Sequence, residues 1–333
     1  MPSGSTQARR VLVTGGAGFI GSHLVDLLLS RGDQVTVVDN LSTGRRANLP
    51  AQHPGLTFVQ ADLARYLSSA SPRPVFHQIF HLAAAVGVKL VIDEPIRSIE
   101  TNVGQTAALL AFAAGTGPSG AGVPTLIASS SEVYGKSERV PFREDDDVTY
   151  GPTTKARWSY AASKAIDEYL AIAYHQQRRL PAVVARFFNT VGPRQVGSYG
   201  MVLPNFVAAA LRGEDLVVHG DGRQTRCFCD VRDVVSALPR LLETSACHGR
   251  VFNLGSDRVI SIAELADNVI RVLGSSSRTR LCPYDQAYAA GFEDLRHRQP
   301  DLTRIRSAIG FSPTRTLEQT IRDLADAVRR ADA

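Results

Sequence analysis

The chain has 333 residues, 44% hydrophobic and 21% charged, with a net charge of +5 and four cysteines. That balance excludes a disordered or fibrous chain and leaves room for roughly two domains. No apolar run reaches the ~18 residues of a membrane span, and the cysteines are too few for a disulfide scaffold.

The polar start, MPSGSTQARR, leads straight into a strand-like VLVT and does not read as a signal peptide, so a soluble, reduced, cytoplasmic protein is expected. The excess of base is 33 Arg against 4 Lys, and the arginine fork suits phosphate or carboxylate. These arginines form no run and no stripe, which argues against nucleic acid. The strand VLVT (11–14) is followed by glycines 15, 18 and 21 and by a helical stretch with Leu24, Leu27 and Leu28 on one face. Such a strand–glycine turn–helix cradles a pyrophosphate on the free amides of the helix start. The second strand, VTVVD (35–39), ends on Asp39, near the ~20-residue spacing at which a carboxylate takes ribose hydroxyls. A 2′-phosphate there would meet a like charge, so NAD is favoured over NADP, although Arg45 and Arg46 follow closely.

Further apolar strands follow at FVQ (58–60), IFHLA (79–83), TLIAS (125–129) and VVARF (183–187), alternating with helices. The pattern predicts an α/β fold, a Rossmann-type doubly wound parallel sheet over 8–188. GTGPSGAGVP (115–124) reads as a surface loop, and 136–158 as a long loop of the kind that forms binding loops or lids. From 189 to 333 we expect a smaller C-terminal α/β lobe for substrate, with VVHG (217–220) and VFNLG (251–255) as candidates to return to the main sheet.

Within the helical stretch SYAASKAIDEYLAIAYH, Tyr160 and Lys164 stand at i, i+4 on one face. A phenol of pKa ~10 is a weak base at neutral pH. A neighbouring ammonium and a nicotinamide cation would lower it, letting phenolate take a proton from a substrate hydroxyl.

Three motifs in order, TGGAGFIG (14–21), SSSEVYG (129–135) and YAASK (160–164), resemble the extended short-chain dehydrogenase/reductase family in its nucleotide-sugar branch. RFFNTVGPRQ (186–195), DGRQTRCFCDVRDVV (221–235) and RHRQPDLTRI (296–305) extend the likeness along nearly the whole chain. The resemblance implies a Rossmann domain with tightly held NAD, UDP-sugar substrates and a homodimer through a helix bundle. It assigns Gly15, Gly18, Phe19, Ile20, Asp39, Asn40, Ser42, Thr43, Gly44, Asp62, Leu63, Leu82, Ala83 and Ala84 to the cofactor, together with Tyr160 and Lys164. Asn189, Arg194, Arg226 and Arg298 are assigned to the UDP-sugar, Arg226 and Arg298 to its diphosphate, or Arg298 to a sugar carboxylate.

Ser130 and Glu132 discriminate among the branch's reactions. Its 4-epimerases usually lack this Glu, and its 4,6-dehydratases usually carry Asp before it. UDP-glucuronate decarboxylases typically carry Thr/Ser–Ser–Glu–Val–Tyr–Gly, and the chain reads Ser130–Ser131–Glu132–Val133–Tyr134–Gly135. The expected activity is therefore NAD-dependent decarboxylation of UDP-glucuronate after oxidation at C4, giving UDP-xylose or the 4-keto pentose, with Tyr160, Lys164, Ser130 and Glu132 catalytic. The alternative is a UDP-sugar 4-epimerase; a non-catalytic NAD-binding protein is a third reading, opposed by the intact set. Cys227 and Cys229 are too close and too few for zinc, so no metal is assigned, and Trp158 reads as packing.

Overall fold

The computed structural model describes residues 8–69, 74–85, 88–117, 122–197, 201–283 and 296–332. Residues 118–121 of the GTGPSGAGVP spacer lie outside them. The first half alternates strand and helix: β1 (Arg10–Thr14), α1 (Phe19–Ser30), β2 (Gln34–Asp39), β3 (Leu56–Gln60), α2 (Leu63–Ser69) and β4 (Gln78–His81). Next come α3 (Val88–Asp93), α4 (Pro95–Gly115), β5 (Thr125–Ser130), α5 (Arg157–Arg178) and β6 (Ala182–Phe187). β7 (Thr190–Val191), α6 (Val202–Arg212), β8 (Leu216–His219), β9 (Thr225–Cys227), β10 (Cys229–Asp230) and α7 (Val231–Glu243) follow. The chain ends through β11 (Arg250–Leu254), β12 (Val259–Ser261), α8 (Ile262–Leu273), β13 (Thr279–Cys282), α9 (Thr303–Ile309) and α10 (Leu317–Asp332).

Among the described residues the main sheet has seven strands in the order β11-β6-β5-β4-β1-β2-β3, every pair parallel. Both faces are covered. On one side α1 and α7 pack Leu24, Leu28, Val234 and Leu238 around Val11, Val13 and Phe252. On the other, α4 and α5 bring Leu109, Leu110 and Ala171 against Leu12, Ile79 and Val184. Burial on both faces is why these strands read as unbroken apolar runs. The order reverses between β1 and β4, the switch point outside whose carboxyl ends ligands bind in such sheets.

Segments beyond residue 188 take part in the main unit. β11 pairs with β6 at the sheet edge, and α7 and α9 join the first core through Val231, Leu241 and Ile305. The run at 217–220 does not reach this sheet, because β8 pairs in parallel with β13. A separate core of Val191, Phe206, Leu216, Leu265, Ile321 and Leu324 gathers α6, α8 and α10.

Candidate functional site

The carboxyl ends of β1, β2, β4, β5 and β6 open into one cavity of about 1320 Å³. Its first half grows out of the glycine turn. Gly15 has φ +69°, and a Cβ there would stand 2.7 Å from the backbone nitrogen of Ala83. At Gly21 a Cβ would meet the Gly15 carbonyl at 2.2 Å. The turn thus closes only without side chains. Gly18 caps α1, which has no side-chain cap bond and no acid in its first turn, so those amides point at the cavity uncompensated. Asp39 is buried at the end of β2. Its Oδ2 accepts from the Ala17 amide at 2.9 Å and its Oδ1 from Leu41 at 2.8 Å. Asn40 donates to Asp62 at 2.7 Å.

A dinucleotide fits this half: a phosphate belongs on the bare helix start, and Asp39 keeps lone pairs for ribose hydroxyls. Of the residues assigned to the cofactor, Gly15, Gly18, Phe19, Ile20, Asp39, Asn40, Ser42, Thr43, Asp62, Leu63, Leu82, Ala83 and Ala84 line the cavity. Gly44 does not. It backs Asp39, where a Cβ would stand 3.0 Å from Oδ2.

The second half carries Ser130, Glu132, Tyr160 and Lys164 on the same cavity. β5 ends on Ser130, whose Oγ accepts from the Glu132 amide at 3.2 Å and whose hydroxyl faces the Tyr160 phenol. Tyr160 and Lys164 occupy the first two turns of α5. The expected acidification of Tyr160 by Lys164 is not what the protein's own residues produce. Burial raises the phenol pKa first, and the charges of Glu132 and Asp167 add to it, while the Ser130 hydrogen bond opposes. Lys164 is committed elsewhere: its ammonium, 2% exposed, sits 2.8 Å from the buried Asp167 carboxylate. Burial holds the Asp167 pKa above the usual carboxylate range, against the pull of Lys164. Beneath lies His81, whose Nδ1 and Nε2 meet Thr14 at 2.7 Å and Thr106 at 3.2 Å. Burial, with the Lys164 charge, pushes its pKa down to about 3.

Glu132 is flanked by two guanidiniums, Arg298 in direct contact and Arg157 at 3.7 Å. Arg298 therefore stands beside the candidate catalytic carboxylate. Arg226 is buried, lines the cavity and donates to the Thr225 carbonyl at 2.8 Å. Asn189 lines it too, with φ +30° and a buried Nδ2 that has no hydrogen-bond partner among the described residues. Arg194 reaches the cavity wall, yet its guanidinium pairs with Asp26 of α1 at 2.7 Å, so it straps the 192–195 turn to that helix.

Sequence reading missed Arg157, Asp167 and the network behind β5. The signal was there: Arg157 lies three residues before Tyr160 and Asp167 three after Lys164, on shared helix faces. Behind the site, Glu168 takes Arg186 at 2.7 and 2.9 Å and the Ser129 hydroxyl. Arg186 lies 4.7 Å over the Tyr134 ring, whose hydroxyl donates to Asn253 at 2.6 Å. Asn253 in turn donates to Glu144 and to the Phe142 carbonyl. The 136–158 loop is thereby pinned to the sheet and to the 299–301 segment, where Phe142 donates to Gln299 at 2.8 Å. Cys227 and Cys229 are buried, and no group of metal-ligating side chains occurs among the described residues.

Residues 12–324 match the family model described as GDP-mannose 4,6 dehydratase. The chain belongs to this family. A UDP-N-acetyl-alpha-D-glucosaminuronate decarboxylase of Bacillus cytotoxicus is 40% identical over 95% of this chain and 96% of its own length. UDP-glucuronic acid decarboxylase 4 of Arabidopsis thaliana is 36% identical over 93% of this chain, which spans 66% of that protein. Among solved structures, the UDP-glucose 4-epimerase of Thermus thermophilus in complex with NAD superposes with a TM-score of 0.79 at 29% identity, covering 97% of this chain and 99% of that one.

Proposed function

We propose that this family member is an NAD-dependent decarboxylase of a UDP-linked uronic acid, with UDP-glucuronate as its substrate. The observation that carries the reading is the convergence of Ser130, Glu132, Tyr160 and Lys164 on one cavity whose other half fits a dinucleotide. The relatives that share most of its length are named as decarboxylases. Bound NAD supplies a hydride acceptor for C4 and a positive nicotinamide.

Tyr160 takes the C4 hydroxyl proton, and the Ser130 hydroxyl beside it donates to the C4 oxygen. With C4 at the ketone level the substrate is a β-keto acid. Its C5–carboxylate bond breaks, CO2 leaves, and the electron pair passes to the C4 oxygen, where these two hydroxyls stabilise the enolate. Glu132, oriented by Arg298 and Arg157, faces C5 and assists its protonation. Arg226 binds the diphosphate, and Asn189 uses its spare Nδ2 on the sugar.

Incubation with UDP-glucuronate should release CO2 and yield a pentose nucleotide. A galacturonate product with all carbon retained would instead make it a 4-epimerase, and inertness to UDP-uronates would leave a non-catalytic NAD-binding protein. Turnover of only the N-acetylated uronate would move the substrate to the one named for the Bacillus relative.

We further infer a homodimer. Ile96 of α4 and Tyr169 of α5 are each 72% exposed, with Ile92, Ile99 and Ile166 also exposed, and the two helices pack side by side. Such an apolar face is covered by a second copy; light scattering should return twice the 35.9 kDa chain mass. No helix among the described residues is long and apolar enough to cross a membrane. The free cysteines fit a reducing cytoplasm.

A further inference from the structure

The carboxylate of Asp167 has no place in the chemistry above, yet it is 0% exposed and 2.8 Å from the one ammonium the reaction uses. α5 carries two consecutive acids with separate partners. Glu168 turns to Arg186 and Ser129, while Asp167 turns to Lys164. A second charge in so dry a place is expensive unless it is paired, and Lys164 is the pair. Around them stand Glu168 on α5, Glu132 beyond β5, Thr106 on α4 and His81 on β4.

We propose that Asp167 is a positioning residue: its carboxylate fixes the Lys164 ammonium at the floor of the cavity and neutralises part of its charge. An ammonium so held cannot swing freely to the Tyr160 hydroxyl one turn back. Asp167 also acts on Tyr160 directly, since its negative charge disfavours phenolate. Lys164 and Asp167 therefore set the acidity of Tyr160 as a unit.

The kinetic part of this inference rests on Tyr160 being the proton acceptor; the titration does not. Tyrosine ring-carbon NMR on the full chain, with Tyr160→Phe assigning the signal, reads the Tyr160 titration directly. Asp167→Asn should bring it to a pH lower by about 1, roughly tenfold more phenolate at a given pH. Turnover of UDP-glucuronate should show its acid limb moving the same way with KM little changed. An unmoved Tyr160 titration in folded Asp167→Asn overturns the proposal. A wild-type enzyme inert to UDP-glucuronate overturns only the decarboxylase reading, and the titration still decides the role of Asp167. If Asp167→Asn does not fold, Asp167→Ser, which keeps a small polar group in the same space, carries the same titration, and an unmoved Tyr160 signal there overturns the proposal.

Discussion

Replacing Glu168 by Gln removes one charge from the pair that braces the end of β5. Arg186 now meets that carboxylate through Nε and Nη2, and the two side chains are 7% and 9% exposed. With Gln in place the guanidinium keeps its bond to the Glu144 carbonyl at 3.1 Å and its seat over Tyr134, but it has no countercharge. Breaking a buried pair from one side costs about 3–5 kcal/mol. Unfolding entropy of ~2.1 cal/mol/K per residue over 333 residues gives about 0.7 kcal/mol/K, so Tm should drop by about 4–7 °C. Removing both charges, as Glu168→Leu with Arg186→Met, should recover much of that loss, because a buried pair as a whole is worth far less than either half alone. Thermal melts followed by circular dichroism in moderate salt measure all three proteins. A single variant melting within a degree of wild type, or a double variant no better than the single, refutes the argument.

Three further outcomes follow from the same geometry. His81 stays neutral when folded, with its pKa pushed to about 3, while in the unfolded chain it takes a proton near 6.5. The unfolded state thus binds more protons between those values, so the contribution is complete above pH 6.5 and is lost as pH falls toward 3, about 2 kcal/mol by pH 5. Urea midpoints should fall accordingly in wild type and less in His81→Gln; equal slopes would exclude His81 as the cause. Gly15→Ala sets a Cβ against the Ala83 backbone at φ +69° and should cost about 1–3 kcal/mol as well as NAD affinity, read by melting and calorimetry; wild-type values in both would contradict the turn's role. Tyr160→Phe should keep NAD and lose at least ~100-fold in rate, and undiminished turnover would remove the phenol from the mechanism.

The parallel sheet, the glycine turn and the Tyr160–Lys164 pair were legible because each leaves a local imprint. Doubly buried strands read as unbroken apolar runs, a turn without Cβ atoms reads as spaced glycines, and a shared helix face reads as i, i+4. What escaped was set by tertiary contact. Nothing near Lys164 in the sequence says its ammonium turns to Asp167 rather than Tyr160, since both lie within one helical turn. Arg298 and Glu132 meet because the 297–300 segment is seated by bridges from Thr225 to His297 and from Phe142 to Pro300, partners far apart in the chain. The strand at 216–219 has the composition of a sheet strand but finds its partner at 279–282, a choice made by the second core rather than by its own residues.

The meeting of Glu132 with Arg298 has a temporal side. A nascent chain exposes the glycine turn, Tyr160 and Lys164 long before Arg298 leaves the ribosome. At about 5–20 residues per second the 134 residues from Lys164 to Arg298 take roughly 7–27 s. During this interval the half-built crevice has a floor and one wall, and Phe142 lacks the 299–301 segment it will later bond. Under the role proposed for Arg298, the sugar side of the crevice is complete only once residues 297–300 have emerged, well after the glycine turn.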